Sequence, residues 1–153
     1  MPDTAVLKTE LPKDSMLWRL IAPKDFVDTY SVPAETTPRR AAEIITAFPG
    51  WAQNLMRIRG MLTAPFGLSN EGPSASDKVG IFPVEQETED ELIAGFDDKH
   101  LNFRVSVLVQ DGRVMLSTWV HPHNIGGRLY LALILPFHIL IARDALRRVA
   151  LLS

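Results

Sequence analysis

The dipeptide Asp111-Gly112, at the centre of HLNFRVSVLVQDGRVMLSTWVH, constrains this chain more than any other feature. Asp-Gly favours positive φ at both central positions of a two-residue hairpin turn, whose twist matches that of the flanking strands. Once the turn is set, the register is set too. Counting outward pairs Val109 with Val114, Val107 with Leu116, Val105 with Thr118 and Phe103 with Val120. These side chains share one face, nearly all apolar, which must be core. The other face pairs Leu108 with Met115, Ser106 with Ser117, Arg104 with Trp119 and Asn102 with His121. That mixed face reads as solvated, with Arg104 over Trp119 as a cross-strand cation–π contact.

A sheet with one apolar face needs a cover, and the C-terminal sequence supplies one. Asn124 suits an N-cap, and a long helix follows from about Gly127 to Leu151. At 100° per residue, Leu131, Ile134, Leu135, His138, Ile141, Ala142, Ala145 and Val149 share one face. Pro136 lies nearly opposite, frees the carbonyl of Ala132 and bends the helix toward His138. The apolar run from Tyr130 to Ala142 is roughly a dozen residues, broken by Pro136 and His138, against the ~20 a bilayer requires, so no membrane span is expected. The outward side carries Leu129, Ala132, Leu133 and Leu140, with Tyr130 and Phe137 on its flank, a strip too apolar for water. Either a second subunit covers it in a homodimer about a two-fold axis, or residues 1–23 do, with Leu7, Leu11, Met16, Leu17, Trp18, Leu20 and Ile21.

Upstream, DFVDTYSVP alternates Phe26, Asp28, Tyr30 and Val32 with more polar neighbours and reads as a strand ended by Pro33. In TTPRRAAEIITAFPGW, Thr37 caps a helix, Pro38 fits its first position, and Pro49-Gly50 ends it. A second helix is expected near Trp51 to Leu62, then a loop over 67–78 and short strands in VGIFPVEQ and ELIAGF. Residues 1–23 form a polar lead-in to a single domain over 24–153. Strand, helices, antiparallel strands and a long helix make an α+β order.

Several function classes drop out. A net charge of −2 with scattered Lys and Arg offers no nucleic-acid footprint. The absence of cysteine excludes disulfides, thiolate metal sites and cysteine catalysis, and it suits a cytoplasmic location. The N-terminus lacks the basic-then-apolar pattern of a signal peptide. No Gly-x-Ser-x-Gly, zincin or dinucleotide fingerprint occurs. His121 and His123 project to the same side of a strand, but no third ligand stands nearby in sequence, so neither metal nor cofactor is expected. Glu87, Glu89, Asp90, Asp97 and Asp98 read as solvated turns.

DDKHLNFRVSV, VHPHNIGGRLYLALILPFHILIAR and FPGW together resemble the bacterial family called domain of unknown function 2867, from about Asp25 to Arg147. The family-like positions are His100, Arg104, His123, Asn124, Gly127, Tyr130, Pro136, Phe137 and His138. The family is assigned to the helix-grip superfamily of START-like and birch-pollen-allergen-like proteins. The resemblance therefore implies an α+β helix-grip fold: an antiparallel sheet wrapped on a long C-terminal helix, with two short helices after the first strand. No activity is attached to the family, so no catalytic residue carries over. Its members also occur in longer chains behind an NAD(P)-binding Rossmann domain. Helix-grip proteins mostly bind hydrophobic or aromatic small molecules, and a minority catalyse cyclisation or hydrolysis. The expectation is a small hydrophobic ligand held between sheet and C-terminal helix, with His138, Tyr130, His123, Trp51, Phe103 and Leu135 as the candidate ligand-binding residues. Two alternatives stay open: a small enzyme with His138 or His123 as acid–base group, and an interaction module for a Rossmann-type oxidoreductase partner.

Overall fold

Among the described residues of the computed structural model (6–47, 50, 77–79, 82–97 and 101–152), seven strands form one antiparallel sheet. They are β1 (Leu7–Thr9), β2 (Phe26–Pro33), β3 (Lys78–Val79), β4 (Phe82–Glu87), β5 (Glu91–Asp97), β6 (Leu101–Gln110) and β7 (Arg113–Pro122). Their spatial order is β1-β2-β7-β6-β5-β4-β3. Helix α1 (Pro38–Thr46) follows β2, and helix α2 (Ile125–Leu152) ends the chain. The fold is α+β, in the arrangement expected of a helix-grip domain. The second helix expected near Trp51 to Leu62 lies outside the described residues.

The hairpin behaves as its turn dictates. Asp111 and Gly112 take φ of 54° and 74°, and all eight expected cross-strand pairs are present, from Val109 with Val114 to Asn102 with His121. Thr37 caps α1 by accepting from the backbone N–H of Arg40 at 3.1 Å, with Pro38 just inside. Asn124 caps α2 by accepting from Gly127 N–H at 2.9 Å. The inward face of the sheet, with Tyr30, Val32, Leu92, Val107, Val114 and Leu116, packs on Ala41, Ile44 and Ile45 of α1 and Ala142, Ala145, Leu146 and Val149 of α2. Arg148 of α2 donates to the carbonyls of Ile44 and Ala47, satisfying the open end of α1 and locking the helices together.

The mixed face of the hairpin is not solvated. Trp119 is 4% exposed, and Ser106 and Ser117 are fully buried. Residues 11–21, expected as part of a lead-in, lie across this face, where Leu17 packs on Ile93 and Trp119. The sheet thus has a second covered side, and β1 extends its edge beside β2. The tether is Glu91, 2% exposed, whose carboxylate accepts from Ser15 Oγ at 2.6 Å, from Met16 N–H at 2.8 Å and from Ser106 Oγ. Arg104 is half-buried, and its guanidinium binds Glu85 at 2.7 Å and Asn102 at 2.5 Å.

Helix α2 runs unbroken through Pro136, which is exposed on the side away from the sheet. That continuity lengthens the apolar segment beyond the expected dozen residues. By length and composition α2 could cross a bilayer, with a mean hydropathy of 1.8 over 18 residues, 11% of them buried. One such helix is weak grounds for a span, and its C-terminal third is committed to the core. Leu129, Leu133 and Leu140 are 67%, 62% and 58% exposed.

Gly95 in β5 is a requirement that composition does not reveal. Its φ is +138°, and a Cβ there would stand 2.5 Å from the carbonyl oxygen of Phe103 and 3.0 Å from Cα of Arg104. Gly95→Ala is expected to cost about 1–3 kcal/mol or more through backbone strain and displacement of β6. Urea denaturation checks this, and an unchanged midpoint would contradict the close approach.

Candidate functional site

A cavity of about 130 Å³, partly open to solvent, lies between the inward sheet face and the two helices. It exists because several residues bordering it are short: Ala42 on α1, Ala94 on β5, and Ala142 and Ala145 on α2. Ile45, Phe82, Leu92, Val105, Val107, Leu116 and Ile141 complete an apolar wall. Among the described residues that border it, three have polar side chains: Thr46, Thr118 and His138. The Thr46 hydroxyl is spent on its own helix, donating to the Ala42 carbonyl at 2.8 Å. His138 and Thr118 remain as the polar end.

His138 reaches the sheet from the middle of α2. Its Nε2 lies 3.0 and 3.3 Å from the two carboxylate oxygens of Asp28 on β2. The Asp28 side chain is 6% exposed and that of His138 24%. Asp28 shares the inward register with Tyr30 and pairs across the sheet with Thr118, so imidazole, carboxylate and hydroxyl gather at one place. The edge of Phe26 meets the imidazole at 6.2 Å between ring centres.

The other residues singled out from sequence stand elsewhere. His123 is exposed beyond β7, with Nε2 2.5 Å from Asp97 Oδ1. Phe103 is half-buried beside the cavity, edge-on to Phe82 and Phe96 at 5.7 and 4.8 Å. Tyr130 and Leu135 are half-buried on α2 outside the cavity lining. Trp51 and His100 lie outside the described residues. Asp28 and Thr118 were not singled out. The available signal was a carboxylate in step with Phe26, Tyr30 and Val32 on an alternating strand, where a solvated residue has no place.

The histidine pair belongs to the other side of the sheet. His121 stacks on Trp119 and meets His123 edge-on at 5.8 Å. Its Nδ1 lies 2.6 Å from Asp25, which also accepts from Trp119 Nε1 and Ala22 N–H, each at 2.8 Å. Lys24 supports this arrangement by taking φ of 74° in the turn that presents Asp25. Among the described residues, no group of three or more His, Asp or Glu side chains could hold a metal ion.

A family model described as "Protein of unknown function (DUF2867)" matches residues 20–145. Comparison with curated proteins and with solved structures found no match.

Burial pushes the Asp25 carboxyl upward, but hydrogen bonds from His121, Ala22 and Trp119 outweigh it and hold the group below its ordinary 3.8. A carboxyl depressed in the folded state stabilises above its unfolded value, and that stabilisation is lost as pH falls through the folded value. The stability gap between the wild type and Asp25→Asn is therefore expected to be full above about pH 4 and to narrow in stronger acid. Urea midpoints measured from pH 7 to pH 2.5 check this; a gap independent of pH would show that Asp25 contributes no charge-dependent stability.

Proposed function

The chain belongs to this family of unknown function, and we propose that it binds a small hydrophobic molecule in the cavity between sheet and helices. The observation that carries the reading is a hollow whose described lining is apolar apart from Thr46 and a polar end where His138, Asp28 and Thr118 meet. Apolar walls supply affinity without direction, and a few polar groups fix orientation. Size sets the class, since a dry cavity of roughly 150 Å³ accommodates a benzene-sized guest. A carboxylate behind a cavity imidazole is also the arrangement of an oriented general base, which favours proton transfer as a second reading. The expected working place is the cytoplasm, as the lack of cysteine suggests.

Toluene tests the cavity itself. It is expected to bind the full chain with one-to-one stoichiometry by calorimetry, and Ala142→Leu, which grows into the hollow from α2, is expected to weaken it at least tenfold. Thermal unfolding of the variant reports that the fold is retained. Undiminished toluene affinity in a folded Ala142→Leu protein would overturn the assignment of the cavity.

The exposed strip of α2 supports a homodimer as part of the same proposal. Leu129, Leu133, Phe137 and Leu140 recur along one side of the helix, and residues 11–21 cannot cover them because they pack on the opposite side of the sheet. One strip repeated about a two-fold axis is self-complementary. Light scattering at tens of micromolar is expected to give twice the 17.1 kDa chain mass, and Leu133→Glu to return it to the monomer. A monomeric wild type would end the dimer reading.

A further inference from the structure

The pairing of His138 with Asp28 specifies one hydrogen-bonding role for the cavity. An ionised carboxylate offers lone pairs and no proton, so the nitrogen facing it must carry the hydrogen. Both oxygens of Asp28 face Nε2, at 3.0 and 3.3 Å. In neutral imidazole the proton on Nε2 leaves Nδ1 as an obligate acceptor. Among the described residues no hydrogen-bond donor reaches Nδ1, and the aromatic neighbour of the ring is Phe26. His138 borders a cavity that is partly open to solvent, so this acceptor is one that water reaches and that a donor on a ligand can take over.

We infer that the cavity selects a neutral molecule about the size of one aromatic ring, bearing a single hydroxyl or N–H donor directed at His138 Nδ1. The inference rests on the cavity-binding reading above and adds the polar class of its ligand. A purely apolar ring of the same size leaves Nδ1 unsatisfied. A carboxylate brings a second negative charge close to Asp28, and among the described residues no lysine or arginine borders the cavity to offset it. Phenol meets the requirement, while toluene and benzoate do not. Asp28 acts here through His138 and is a positioning residue, since it sets the tautomer.

The test titrates phenol, toluene and benzoate into the full chain at pH 8, above the ordinary imidazole range, with affinities read by calorimetry. Phenol is expected to bind at least tenfold more tightly than toluene, and benzoate more weakly than either. His138→Phe is expected to abolish the advantage of phenol over toluene. Nitrogen-15 spectra of the wild-type histidines supply a readout independent of any variant, with Nε2 of His138 protonated and Nδ1 bare. Asp28→Asn is expected to release that tautomer preference in the same spectra. Equal affinity for phenol and toluene would overturn the inferred donor selectivity and leave the cavity reading standing. Tightest binding by benzoate, or a His138 tautomer protonated at Nδ1, would overturn it as well. Failure of all three probes to bind would remove the cavity reading itself.

Discussion

A buried carboxylate must be hydrogen-bonded, and the way Glu91 meets that demand organises the rest of the molecule. Two of its donors, Ser15 Oγ and Met16 N–H, come from the N-terminal segment, and the third, Ser106 Oγ, comes from the neighbouring strand. Removing the segment would uncover this side of the sheet and leave the carboxylate with only Ser106 of these three partners. The N-terminal layer is thereby bound to one specific place. It closes the outer side of the sheet over Ile93, Trp119 and the small hydroxyls of Thr29, Ser106 and Ser117. The cavity described above lies on the other side, under α2.

The two sides differ in how polar groups are treated. On the outer side, among the described residues, buried polar groups meet their complements within the chain, as Thr29 does with Ser117 at 2.9 Å and Trp119 with Asp25. On the inner side the buried carboxylate of Asp28 is matched by the imidazole of His138 through one of its two nitrogens. Arg143, set over the Tyr30 ring at 5.2 Å, adds a cation on the inner side outside the cavity lining.

What the sequence made legible follows a physical divide between local and distant causes. The hairpin register was readable because Asp111-Gly112 and a period of two act within a few residues, and the caps at Thr37 and Asn124 for the same reason. The helix carrying His138 was readable from its apolar pattern. The outer face was not. Ser106, Ser117 and Arg104 look like solvated residues, and the segment that buries this side lies far away in the chain, with Ser15 and Glu91 separated by 76 residues. Asp28 and His138, 110 residues apart, could not be paired by any local rule. Gly95 is equally silent, because the Phe103 carbonyl that excludes a side chain there belongs to the next strand.

The strand order has a kinetic consequence. β2 has its neighbours in β1 and β7, and the Asp25–Trp119 contact beside it spans 94 residues. Strands β4 to β7 can assemble as a meander through short loops, at small entropic cost. β2 must instead wait for a distant edge, holding Phe26, Tyr30 and Val32 without a partner sheet. High contact order of this kind slows folding, and an unpaired apolar strand is a template for wrong association while it waits. Docking of β2 on the β7 edge is therefore the step at which chain concentration and temperature decide between the native domain and an aggregate.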